Sequence, residues 1–290
     1  VNALAADIGG TSLRAALVGG RGEILARREA PTPEDPRAGV ALLRALWEEL
    51  GKADARGAVV AGGIRPGDGE ITQSPNLPRW EGVKLGRELS CVALNDANGA
   101  ALGEAWAGGL LGTRSAILLT LGTGVGGGLI LDGKLWEGAT GCSGELGHVA
   151  VRPEGPPCGC GSTGCLETYA SASAVARAAG APDALEAARR ARAGDARARA
   201  AFDAAADALG VVLAGLVNAL NPEAIALGGG MAGAFDLLAP RIEALLAKRA
   251  FRLAREGLRL VPATLGNDAG LIGAARAALL RQEAGDARRG

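Results

Sequence analysis

The sequence predicts an α/β protein of two domains. One reason is length: 290 residues can bury one large core or two moderate ones, and two is the better expectation. The stronger reason is a repeated plan. Residues 3–29 read as strand (ALAADI), Gly-rich turn (GGTS), strand (LRAALV), turn (GGRG) and strand (EILARRE). Residues 116–137, AILLTLGTGVGGGLILDGKLWE, repeat strand, Gly-rich turn, strand, Asp-Gly turn, strand. Alternation between glycine turns marks a β-meander, and two copies of one meander indicate internal duplication.

In the first meander, DIGGT at residues 7–11 puts Asp7 at a strand end. Gly9 and Gly10 then allow backbone to come close to a ligand. Consecutive amides there can cradle a phosphate, Thr11 adds a hydroxyl, and Asp7 can hold Mg²⁺ directly or through water. An ordinary glycine hairpin is the alternative. Residues 31–36 form a loop and 38–50 an amphipathic helix stopped by Gly51. Residues 58–63 are a short strand, and 74–80 (SPNLPRW) a Pro-punctuated loop. Asn76 there is placed to meet a ligand or simply to make the turn. A buried strand ends at Leu94, then Asn95 and Asp96 precede a small-residue helix from about Ala97. Ligands collect at the carboxyl ends of strands in open α/β sheets. A carboxylate near a helix N-terminus is held ionised and can take a proton from a hydroxyl. Asp96 therefore reads either as a base or as a plain N-cap.

In the second meander, residues 122–127 match G-x-G-x-x-G. A dinucleotide site needs a helix after these glycines, and a strand follows instead. Gly122, Thr123 and Gly124 read as a second phosphate cradle. Farther on, residues 183–219 predict two helices broken near Gly194, the second over Ala196–Leu220. A strand at 223–227, a turn of Gly228, Gly229 and Gly230, and a helix over Phe235–Arg249 follow. Bare backbone at that turn admits a flat ring or just close packing. Residues 258–264 are the last strand, 267–282 the last helix, and 283–290 should fray.

The stretch 142–171, CSGELGHVAVRPEGPPCGCGSTGCLETYAS, holds the only histidine, His148, and four of the five cysteines, Cys142, Cys158, Cys160 and Cys165. His148 with Cys158, Cys160 and Cys165 makes a closed tetrahedral zinc set in a Gly/Pro loop that forms neither helix nor strand. A metal would order it. Zinc with four protein ligands is structural, with no position open for Lewis-acid work. Glu145 and Glu167 lie three and two residues from ligands, so fixing the metal fixes both.

The formal net charge is zero, so no global field favours nucleic acid or an anionic membrane. No apolar run was expected to reach membrane-spanning length, and the opening residues do not read as a signal peptide. Cysteine usage with a thiolate site predicts a reducing, cytoplasmic setting.

Together DIGGT, LNDAN, LGTGVGGG, GELGH, CGCGSTGCLE and LGGG resemble the ROK family of sugar kinases and repressors, in its bacterial glucokinase form, over nearly the whole chain. The resemblance implies an actin-like, ribonuclease-H-type fold with two domains flanking a cleft. One would comprise residues 1–113 with about 265–290, the other 114–264 with the zinc loop. It implies ATP held by Asp7, Gly9, Gly10, Thr11, Gly122, Thr123, Gly124, Gly228, Gly229 and Gly230, with Mg²⁺. It makes Asp96 the general base and gives the sugar hydroxyls to Asn76, Asn95, Asp96, Glu145, His148 and Glu167. The zinc ligands match His148, Cys158, Cys160 and Cys165. The implied reaction is transfer from ATP to the 6-hydroxyl of glucose, with mannose, fructose, N-acetylglucosamine or N-acetylmannosamine as other acceptors and polyphosphate as another donor. Arg79 stands where the glucokinase form of SPNLPRW has Gly. A homodimer or homotetramer is implied. A ROK regulator would carry a helix-turn-helix before DIGGT; six residues precede Asp7 here, and no nucleic-acid partner is expected.

Overall fold

A computed structural model describes residues 1–287. The first meander is β1 (Asn2–Ile8), β2 (Ser12–Gly19) and β3 (Ile24–Pro31), followed by α1 (Pro36–Leu50) and β4 (Ala55–Val60). A small hairpin, β5 (Gly63–Arg65) and β6 (Glu70–Gln73), and a short α2 (Leu85–Glu88) lead to β7 (Val92–Asn95) and α3 (Asp96–Ala107). The second meander is β8 (Ala116–Leu121), β9 (Val125–Leu131) and β10 (Lys134–Leu135). After the cysteine loop come α4 (Glu167–Ala170), α5 (Ala172–Ala179), α6 (Ala184–Arg192) and α7 (Ala196–Leu220). The chain finishes with β11 (Ala224–Gly228), α8 (Phe235–Arg249), β12 (Arg259–Pro262) and α9 (Ala269–Asp286).

The strands form two five-stranded sheets of one plan, β3-β2-β1-β4-β7 and β10-β9-β8-β11-β12. In each, the meander pairs antiparallel and two further strands add in parallel. Three apolar clusters define five layers. α1 covers the outer face of the first sheet through Leu43, Leu46 and Trp47. α3 and α9 lie between the sheets. α4 to α8 cover the outer face of the second sheet. Edge strand β3 carries Arg27, Arg28 and Glu29, charges that discourage pairing with another chain.

Where α3 crosses α9 and meets β9, the contacts lack side chains. A Cβ on Gly273 of α9 would lie 1.7 Å from the Gly99 carbonyl oxygen of α3, and one on Gly103 would lie 2.4 Å from that of Ala269. In β9, a Cβ on Gly128 would lie 2.4 Å from the Cβ of Ala101. The later glycines of LGTGVGGG therefore seat α3 on the second sheet.

Several sequence boundaries move. α1 starts at Pro36, not 38, because Asp35 caps it by accepting from the N–H groups of Arg37 and Ala38, and proline suits the first helical position. The β5–β6 hairpin was not anticipated, although its PGDG turn is a legible signal. α4 and α5 were missed because they are short and share one residue, Ser171, as the end of the first and the cap of the second. Gly229 begins a 3-10 helix running to Ala234, not an open turn. α9 starts at Ala269 and continues to Asp286, so residues 283–286 are helical and not frayed; 288–290 lie outside the described residues. The expectation about apolar runs is also corrected. α7 is long and apolar enough by composition to cross a membrane, with mean hydropathy 1.8 in its best window. Its apolar face packs in the second sheet's outer core.

The α3–α9 crossing sets a stability test. Gly273→Ala should lower stability by about 1–3 kcal/mol, the usual cost of overpacking. In urea the midpoint should fall with the slope unchanged; an unchanged midpoint would mean the crossing has slack.

Candidate active site

Both glycine turns are closed by their own backbone. In the first, the Gly9 N–H donates to Ser12 O at 3.0 Å and the Thr32 hydroxyl donates to Gly9 O at 2.7 Å. A Cβ on Gly10 would sit 2.8 Å from the Asn76 carbonyl oxygen, so the SPNLPRW loop rests on this turn. Thr11 and Asn76 are exposed beside it. Asp7 is the direct cross-strand partner of Arg14 and forms an ion pair with it. Burial raises the Asp7 carboxyl above its usual range, against the opposing pull of Arg14. Arg14 also donates to the Asn267 carbonyl at 2.8 Å, tying down the approach to α9.

Asp96 is the first residue of α3 but not its cap. Asn95 caps the helix by accepting from the N–H groups of Ala97 at 2.9 Å and Asn98 at 3.1 Å, and donates to Gly62 O at 3.0 Å. Asp96 accepts from the Ala97 N–H at 2.9 Å and is otherwise open to the cleft. Protein surrounds it on its other sides. This loss of bulk water, then the charge of Asp7 and that of Glu145, push its carboxyl up to about 6, while the Ala97 N–H pulls it down.

In the second turn, the Gly122 N–H donates to Gly124 O at 2.9 Å. Thr123 is exposed at its tip. The Val125 N–H donates to Glu167 Oε2 at 2.9 Å, and a Cβ on Gly124 would lie 2.4 Å from that same oxygen. Glu167, from the end of the cysteine loop, is thus built into the second turn. Gly229, at φ +76°, has no room for a Cβ, which would meet the Leu121 backbone at 2.7 Å. Gly230 is exposed beside it.

A cavity of about 270 Å³ opens between these pieces, lined by Asp7, Gly9, Asp96, Gly228, Gly229 and others. Gly10, Thr11, Gly122, Thr123, Gly124 and Gly230 are not part of its wall. A larger hollow of about 540 Å³ beside Val1 and Arg276 involves none of the expected site residues.

The ligating atoms of His148, Cys158, Cys160 and Cys165 lie within 4.8 Å of one another. Cys160 and Cys165 sulfurs are 3.7 Å apart, and Cys158 Sγ is 3.6 Å from His148 Nδ1. The edges of a zinc tetrahedron follow from its bond lengths: about 3.8 Å between sulfurs and about 3.6 Å from sulfur to nitrogen. The donor set fits zinc. His148 Nε2 points away from the cluster, 3.9 Å from Glu145 Oε2, and Glu167 Oε1 is 3.9 Å from Cys158 Sγ. Gly164, at φ +67°, lets the loop double back, since a Cβ there would lie 1.6 Å from Arg152 O.

A profile described as the ROK family matches residues 3–283. The chain belongs to the ROK family. It is 37% identical over 304 residues to a glucokinase of Halalkalibacterium halodurans, covering 92% of each chain. It is also 37% identical over 286 residues to an N-acetylmannosamine kinase of Escherichia coli O157:H7, covering 94% of this chain and 96% of that one. Among solved structures it is similar to a ROK family glucokinase from Streptomyces griseus in complex with glucose and AMPPNP. That likeness has TM-score 0.81 and 31% identity, covering 97% of this chain and all of that one. The actin-like, duplicated α/β fold is the fold of this ROK chain.

Two site residues escaped the sequence reading. Arg14 is one; a hairpin register counted outward from GGTS pairs it with Asp7 and would have found it. Glu104 is the other: it lines the cavity from α3, and its only signal was an acidic residue late in a small-residue helix. Arg79 pairs with Glu34 at 3.3 Å, both strongly exposed.

The metal loop sets a test. Cys160 is exposed, so Cys160→Ser should leave the core intact while removing one of the four ligands that a zinc ion here would need, and zinc content should fall. Glucose affinity should weaken by about tenfold or more. Elemental analysis with calorimetry checks both; full glucose affinity in zinc-free protein would remove the metal's positioning role.

Proposed function

We propose that this ROK protein transfers the γ-phosphoryl group of MgATP to the 6-hydroxyl of glucose, giving glucose 6-phosphate and ADP. The observation that carries this is Asp96. Asn95 relieves it of capping, and it faces one cavity with Asp7 and the first glycine turn. The similarity to a glucokinase crystallised with glucose and an ATP analogue supports the reading.

In this reading the 6-hydroxyl sits against Asp96, which takes its proton as the oxygen attacks in line. A carboxyl near 6 is ionised at neutral pH yet basic enough to accept that proton. The two glycine turns hold the phosphates. Asp7 would hold Mg²⁺ directly or through water, the ion would supply charge neutralisation at the phosphates, and the Arg14 guanidinium beside it would add to that. Positioning and electrostatics supply most of the acceleration. Zinc, when bound, supplies no Lewis acidity. With the ion held, the ordered loop would present Glu145 and the Nε2 of His148 to sugar hydroxyls, and Asn76 would offer its side-chain amide. Glu167 keeps one oxygen for Val125 and links sugar loop to phosphate turn. Asn95 acts through its cap and offers the sugar at most one remaining amide hydrogen. The first sheet with α1, α3 and α9 forms one lobe and residues 114–264 the other. Closure over the sugar excludes water and limits ATP hydrolysis.

The second reading, phosphorylation of N-acetylmannosamine, rests on the relative of that activity at 37% identity. Comparing kcat/KM across glucose, mannose, fructose, N-acetylglucosamine and N-acetylmannosamine with MgATP separates the two. Glucose should lead; a higher value for N-acetylmannosamine would replace it as the substrate.

Asp96→Asn should lower kcat by about 10²–10⁴-fold while glucose binding survives. In the parent protein, kcat/KM should fall as pH drops through about 6, because protonation removes the base. A variant with parental kcat, or one that keeps this acid limb, would overturn the assignment.

A further inference from the structure

Glu104 is the only charged side chain among the described residues with no exposed surface. No Lys or Arg is paired with it among them, and its partners are donors from three backbone positions. Oε2 accepts from the Gly109 N–H at 2.7 Å, Oε1 from the Leu265 N–H at 2.8 Å, and both oxygens from the Thr264 N–H at 3.0 and 3.1 Å. The Thr264 hydroxyl adds a long contact of 3.5 Å. A buried carboxyl group is costly unless such bonds compensate it. This one is compensated by joining two distant parts of the chain. Glu104 lies on α3, which leaves the first sheet at β7, while Thr264 and Leu265 follow β12 of the second sheet.

The joint lies where nucleotide is expected. Ala263 and Gly266 flank the gripped pair, and both line the cavity shared with Asp96 and Gly228. Asp96 and Glu104 are eight residues apart on one helix, a rigid spacing of about 12 Å. Space around the joint is already used: a Cβ on Gly109 would lie 2.6 Å from the Pro262 carbonyl oxygen.

We propose that Glu104 is a positioning residue for the nucleotide. It holds the Thr264–Leu265 backbone so that the cavity wall at Ala263 and Gly266 stays at a fixed distance from Asp96. The role rests on the reading of this cavity as the MgATP site. Glu104 acts through the wall and not on the transferred group, so its loss should appear in nucleotide affinity. Chemistry and sugar affinity should be spared.

Glu104→Gln keeps the shape but turns an amide N–H₂ toward backbone N–H donors. At saturating glucose, KM for MgATP should rise about tenfold with kcat within about twofold. Glucose binding measured by calorimetry without nucleotide should be unchanged. Gly109→Ala pushes the same segment from the other side while keeping the carboxyl, and should give the same split. It carries the test if Glu104→Gln does not fold. Equal losses for both substrates, or a fall in kcat at unchanged KM for MgATP, would overturn the proposal. Ala232→Phe tests the cavity itself, because Ala232 lines it and is not part of the joint. If Ala232→Phe leaves KM for MgATP unchanged, the cavity assignment fails and takes the proposal with it. If Ala232→Phe raises that KM and Glu104→Gln does not, only the role of Glu104 fails.

Discussion

Helix α3 has to touch both sheets, and it can do so only where side chains are missing. Gly99 and Gly103 meet α9, and Ala97 and Ala101 meet the bare strand of Gly126 and Gly128. Small residues give up burial at each contact, and the glycines give up helix propensity as well. In return the backbones approach closely enough for one helix to begin at Asp96, in the first sheet's loop layer, and reach the second sheet's final strand. The site depends on that closeness. A side chain on Gly103 would part α3 from α9, and one on Gly99 would drive it off Val59 of β4; either would carry Asp96 out of place.

Charge in the cleft is arranged with similar economy. Asp7, Asp96 and Glu104 all line the cavity, and Arg14 is the one cation among its described lining residues. Three ionised acids in one cavity would repel one another and any anion entering it. The arrangement copes by giving each a different partner: Arg14 for Asp7, backbone N–H groups for Glu104 and a single N–H for Asp96. The least compensated of the three has the carboxyl pushed up to about 6, which follows from what it lacks.

The duplicated meander and the metal set were legible in the sequence because each is local. Strand, turn and strand lie within one short stretch, and C-x-C-x4-C with a lone histidine needs no distant partner to be noticed. Phe235–Arg249 and Ala196–Leu220 were legible for the same reason, with their periodicity contained in one segment. What stayed hidden was long-range. Glu104 gains its meaning from residues 160 positions away. The glycines of β9 resemble a phosphate loop until α3 is laid across them. Asp96 read as a base or a plain cap, and only the turn of the chain gives the cap to Asn95.

Glu167 shows what this closeness implies for the metal. One of its oxygens is bonded to the second glycine turn and the other lies beside a cysteine of the zinc set. Free energies of coupling between sites are reciprocal. On the proposed function, whatever order an ion held by His148, Cys158, Cys160 and Cys165 would lend to the second turn, a phosphate seated there would lend back, so bound nucleotide should slow the loss of that ion to a chelator.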